Sequence, residues 1–121
     1  IQFDVDNDEI TTSKKVKSRD KTSGNTTKTA TTEFALDTFA HAEFRAARYI
    51  VAMSEGSAFH STEIVVVHDG SDVTLTQYGT LKSKTLATFD ADISGDNLRL
   101  LATPASVSST VIKFDRTTVD A

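Results

Sequence analysis

His68, Asp69 and Ser71 bring the three side-chain types of a hydrolase relay within four positions of a 121-residue chain. A relay needs nucleophile, base and orienting acid to converge in space, each reaching the next. Neighbouring strand residues point to opposite faces, and a turn follows here at once, so the three cannot line up. The flanking runs "IVVV" and "VTL" make "HDGSD" a β-hairpin turn instead, with Asp side chains placed to bond turn amides. No G-x-S-x-G elbow stands elsewhere in the chain. The reading is of a chain that is not an enzyme and has no catalytic residue.

Other chemistry-bearing residues fare similarly. Asp4, Asp6 and Asp8 alternate as in a calcium loop, but the sixth position of such a loop is Glu9 rather than Gly, and the twelfth is Lys15 rather than Glu. An EF-hand is excluded. A solvated acidic face is the default, with a looser cation site shared with another subunit as the alternative. His41 and His60 lack a second ligand at metal spacing and read as surface or strand-edge imidazoles. Glu63, beside the apolar "IVVV", is expected to be partly buried and paired with Arg45 or Arg48 of a neighbouring strand rather than to act as a general acid. Zero cysteines remove disulfides and thiolate sites. No metal and no cofactor is expected.

Charge is segregated along the chain. Residues 1–10 carry four acids and no base, residues 11–28 carry six bases against Asp20, and the remaining 93 residues carry seven bases and twelve acids. The basic stretch, with Lys14, Lys15, Lys17 and Arg19, has the composition of a phosphate-binding tail. It lacks interleaved aromatic residues for base stacking, and the body behind it is acidic, which speaks against nucleic acid. Residues 11–32 hold one strongly apolar residue, Val16, too little burial to offset ordering entropy. We read residues 1–28 as an extended arm. Ile1, Phe3 and Val5 alternate with polar residues as in a short strand without a local partner, so they, with Ile10 and the four bases, are the expected partner contacts. The first residue is Ile rather than Met, from which a trimmed N-terminus is expected. No apolar run approaches the roughly 20 residues that span a bilayer.

From residue 29 the pattern changes to short alternating runs broken about every ten residues, as in a sandwich or barrel. "FHSTEIVVVH", "VTLTQYGT", "LATFDADI", "LRLLAT" and "TVIKFDRT" read as five strands, with Gly56, Gly70 and Gly95 in the breaks. Leu98, Leu100, Ile112 and Phe114 are assigned inward. The density of Ile64, Val65, Val66 and Val67 suggests a strand end buried on both faces. Residues 38–53 are ambiguous. Phe39, Ala42, Ala46, Tyr49 and Met53 make a helical seam, whereas a strand would place Ala47, Tyr49, Val51 and Met53 on one face.

The blocks "FRAARYIVAMSEG", "FHSTEIVVVHDG", "LTQYGTL", "LATFDADISGDNLRLLATPA" and "STVIKFDRT" together resemble a β-rich module of structural proteins in tailed phages of marine bacteria, especially cyanobacteria. The resemblance covers about residues 29–118. It implies a strand at residues 44–54 and no catalytic residues. The expected fold is a single antiparallel β-sandwich of about seven strands, jelly-roll-like or immunoglobulin-like, over residues 29–121. The expected role is a non-enzymatic virion component (decoration, neck, baseplate or fibre) that joins other virion proteins and copies of itself, a trimer being the first guess. The alternative is a host-glycan-binding module, for which Tyr78, Arg99 and Asp96 are candidate contacts with little aromatic support.

Overall fold

The computed structural model describes residues 21–121. The expected arm contacts Ile1, Phe3, Val5, Ile10, Lys14, Lys15, Lys17 and Arg19, and the acidic residues 4–8, lie outside the described residues. Eight strands follow one another: β1 (Lys21–Lys28), β2 (Phe34–Ala40), β3 (Phe44–Glu55), β4 (Ala58–His68), β5 (Val73–Lys82), β6 (Ala87–Ser94), β7 (Asn97–Pro104) and β8 (Thr110–Asp120). They form two antiparallel sheets, one of five strands in the order β1-β8-β3-β4-β5 and one of three in the order β2-β7-β6. The expected all-β sandwich is what the chain forms. The chain crosses between layers four times, at β1–β2, β2–β3, β5–β6 and β7–β8. No helix among the described residues is long and apolar enough to cross a membrane, which says nothing about strands.

Period-two patterning builds the core. Ala47, Tyr49, Val51 and Met53 of β3 are buried, as are Ile64 and Val66 of β4 and Ile112 and Phe114 of β8. They meet Phe39 of β2 and Leu98 and Leu100 of β7 from the other layer. Each such aliphatic side chain contributes about 1.5–3 kcal/mol when removed from water. The helical seam at residues 38–53 is thereby dissolved: Phe39 lies in one strand, residues 41–43 turn, and Tyr49 and Met53 belong to the next. The expectation of two-sided burial at the end of β4 is corrected. Val67 is 45% exposed while Ile64 and Val66 are closed off, because the second layer covers only one face of the five-stranded sheet.

Lys21–Lys28, which composition placed in the arm, pairs along its whole length with β8. Its order comes from the ladder and from a few side-chain anchors: Thr22 accepts a bond from Arg116 at 3.1 Å, and Lys28 lies 4.4 Å from the Phe34 ring centre. Gly24 sits where a Cβ would come within 2.2 Å of the Phe114 ring. The missing side chain lets that ring lie over the edge strand.

One polar cluster is built into the core. A bulge between Ala35 and Asp37 in β2 lets both Leu36 and Asp37 lean inward. Asp37 accepts from the Tyr49 hydroxyl and the Arg116 guanidinium, each at 2.8 Å. Burial first, then the neighbouring Asp37 charge, pushes the Tyr49 hydroxyl well above the ordinary phenol range, so it stays a donor. Arg116 also lies over the rings of Phe39 and Phe44.

Candidate binding surface

The turn at His68–Asp72 settles the possible relay. Asp69 Oδ1 accepts from the amides of Ser71 and Asp72 at 3.0 and 2.8 Å, and these amide bonds hold its carboxyl below the usual range. His68 is buried, its Nδ1 accepting from the Gly70 amide at 3.0 Å. Its proton therefore sits on Nε2, which donates to the Phe44 carbonyl at 2.6 Å. Both imidazole nitrogens are spent on backbone, and Ser71 enters the turn through its backbone amide, which donates to Asp69.

Among the described residues, no element covers the outer face of the five-stranded sheet. Register lays its side chains in rows that cross the strands. One row runs Val119, Ala46, Val67, Thr74, and the next Thr117, Arg48, Val65, Thr76. A third runs Asp115, Ile50, Glu63, Tyr78. Val119 is 59% exposed in the first row and Ile50 is exposed in the third, so aliphatic side chains lie on either side of the Arg48 row. A shallow groove of about 640 Å³ follows the first two rows, lined by Ala46, Arg48, Val65, Thr117, Val119 and Asp120. Contiguous apolar surface of this kind marks contact sites on soluble proteins.

At the charged centre Arg48 stands 3.9 Å from Glu63, the expected pairing of that carboxylate. Tyr78 lies opposite Glu63 in the ladder; partial burial first, then the neighbouring Glu63 carboxylate, pushes the Tyr78 hydroxyl above its ordinary range. A bulge in β5 makes this possible. Between the pairs Ser61–Leu81 and Glu63–Tyr78, β4 has one residue and β5 has two. Gly79 takes a φ of 62°, left-handed space that side-chain-bearing residues enter at a cost. Thr62 clasps the bulge, donating to the Tyr78 carbonyl at 3.2 Å and meeting the Thr80 hydroxyl at 2.9 Å. A phenol ring, a carboxylate and a guanidinium then share one open face, a set that can stack on a sugar ring and bond its hydroxyls.

Other expected residues lie apart. Arg99 forms a two-bond pair with Asp92 at 2.8 and 2.5 Å on the opposite sheet, far from Tyr78 in the fold's layering, and Asp96 lies in the β6–β7 turn. The three sugar candidates therefore do not share a face. His41 bonds the Gly95 carbonyl at 3.3 Å, at the end of the fold where the β6–β7 turn meets the β2–β3 turn. His60, expected at the surface, is 3% exposed. Its alternation partners Thr62 and Ile64 face the core, which a lone-residue reading could not weigh. Among the described residues no group of His, Asp and Glu is arranged to hold a metal ion.

No protein family and no curated protein matches the chain. Solved structures of similar fold do. The tailspike protein of Acinetobacter baumannii phage AM24 superimposes with a TM-score of 0.52 at 10% identity, covering 88% of this chain and 27% of that one. The tailspike gp49 of Acinetobacter baumannii bacteriophage Fri1, a capsular polysaccharide depolymerase, gives 0.47 at 12% identity, covering 86% and 18%. The likeness is one of fold, and the chain spans about a quarter of the AM24 tailspike's length. The β-rich fold expected from the phage resemblance is thus one that phage tailspike proteins contain. The expectation that the chain is not an enzyme is corrected: phage tailspike proteins, among them a capsular polysaccharide depolymerase, contain a similar fold, and the missing serine relay does not exclude activity. Glycosidic bonds are cleaved by pairs of carboxylates, with no nucleophilic serine.

Proposed function

We propose that the chain is a module of a phage tailspike-type protein, carried in the phage particle and working where that particle meets the host surface polysaccharide. The observation that carries the reading is the fold match across 88% of this chain to part of a tailspike. The earlier block resemblance, which pointed to phages of marine bacteria, supports the same kind of particle. On this reading the sandwich assembles with copies of itself, three being the first number to test, and with other virion proteins. The aliphatic rows around Ile50, Val67 and Val119 supply contact area. Residues 1–20, with Ile1, Phe3, Val5, Ile10, Lys14, Lys15, Lys17 and Arg19, supply further contacts as an arm. The Tyr78–Glu63–Arg48 centre favours a second role on the same surface, holding host saccharide.

Quantitative peptide measurement on purified particles tests the assignment. The chain is expected at a fixed copy number that is a multiple of the tail's symmetry, and its absence from washed particles would sink the reading. A glycan array with the isolated sandwich tests the saccharide role. Binding is expected to weaken at least fivefold in Tyr78→Ala.

A further inference from the structure

Between the edge strands β5 and β6, where the two sheets part, lies a cleft of about 520 Å³. His60, Gln77, Thr80, Lys82 and Thr85 line it on one side and Thr88 and Phe89 on the other. His60 is built into its floor. The imidazole is 3% exposed, and its Nδ1 accepts the Leu86 amide at 3.1 Å. The ring proton is therefore on Nε2, and that donor has no hydrogen-bond partner among the described residues. A buried donor left without an acceptor costs about 1–3 kcal/mol, so its persistence calls for an acceptor from outside. Lys82, directly opposite His60 in the ladder, donates to the Thr85 hydroxyl at 2.8 Å and forms no ion pair among the described residues. Among the described residues no carboxylate lines the cleft. Its chemistry is a cation, an N–H donor, hydroxyls, one amide and one aromatic face.

We propose that this cleft binds a carboxylate-bearing sugar residue, the carboxylate meeting Lys82, a ring or carbonyl oxygen accepting from His60 Nε2–H, and the sugar face resting on Phe89. The proposal rests on the saccharide reading above and narrows it to acidic saccharide at a second location, away from Tyr78. Burial, then the Lys82 charge, holds His60 below its ordinary range, so the donor is neutral and present at neutral pH. The wall is firm on the loop side, where Ser83 and Phe59 exchange backbone and hydroxyl bonds at 2.9 Å.

The test is a titration of the nitrogen-15-labelled chain with glucuronate, with glucose as the neutral control and inorganic phosphate as the bare anion. His60 Nε2–H and Lys82 Nζ resonances are expected to shift with glucuronate and not with glucose. Lys82→Gln, a surface change, should weaken the response about tenfold while leaving the fold's spectrum intact. Equal shifts with phosphate would mark a bare anion site and overturn the sugar assignment. An Nδ1–H tautomer for His60, or silence of both resonances with glucuronate, overturns the cleft. If the chain binds acidic polysaccharide while both resonances and the Lys82→Gln affinity stay unchanged, the cleft fails and the saccharide reading survives. Absence of binding to any saccharide removes both.

Discussion

Asp37 shows at the scale of one residue how much rests on a charge that the core has closed over. Its carboxylate is shared by Tyr49 and Arg116, and the Arg116 side chain is 7% exposed. Asp37→Ala would strip the carboxylate from a buried guanidinium. Removing one partner of such a pair costs about 3–5 kcal/mol, far more than the pair contributes against an apolar replacement. Urea unfolding followed by fluorescence or circular dichroism should report that loss, and Tyr49→Phe, which removes one donor only, about 1 kcal/mol. A loss below 1 kcal/mol for Asp37→Ala would mean that Arg116 is satisfied without it. His60 sets a second expectation at this scale. Its folded-state pKa lies below the unfolded value of about 6.5, so the unfolded chain takes up the proton first as pH falls. Stability is then full above about pH 6.5 and declines as pH drops through the folded-state value. Thermal midpoints between pH 8 and pH 5 should fall along that course in the native chain and lose this component in His60→Gln.

Strands β1 and β5 are the elements whose behaviour follows least from side-chain patterning. For β3, β4, β7 and β8 the alternation of apolar and polar residues fixes which face is buried, and Tyr49, Val51, Leu98, Leu100, Ile112 and Phe114 sit where period two puts them. Nothing similar marks β1. Its sequence, "KTSGNTTK", has no apolar residue, and what holds it is eight backbone pairs with β8, the side-chain anchors at Thr22 and Lys28, and the space Gly24 leaves for Phe114. Gly24→Val should push that ring aside, at about 1–3 kcal/mol for overpacking. Amide exchange of residues 21–28 is expected to accelerate before that of β3, and uniform protection would contradict an edge strand held by that contact. In β5 the bulge was equally hidden, because Thr62, Gly79 and Thr80 are ordinary strand and turn residues until the register with β4 is known. The Tyr78–Glu63–Arg48 centre inherits that obscurity. Arg48 and Glu63 were legible as a pair, but Tyr78 joins them only through a one-residue offset.

For the whole molecule, the decisive asymmetry is five strands against three. A three-stranded layer covers one face of the larger sheet, and no described element covers the other. The aliphatic positions on that open face, Ala46, Ile50, Val65, Val67 and Val119, lie on β3, β4 and β8, the three central strands. They contribute little to the fold, since their side chains point away from the core, so changing them should separate assembly from stability. Ile50→Lys combined with Val67→Lys places two cations beside Arg48, within one sheet face and without touching the buried rows. Their unfolding midpoint is expected within about 0.5 kcal/mol of the parent, as for surface changes in general. Sedimentation of the parent at rising concentration should show a species larger than one chain, and the double substitution should return it to a single chain. If the parent stays a single chain at every concentration, the open face contacts a different protein of the particle, and co-sedimentation with that partner would take the place of self-association. If the double variant associates as the parent does, the contact lies elsewhere, and the edge strand β5, with Leu81 71% exposed, is the next surface to charge.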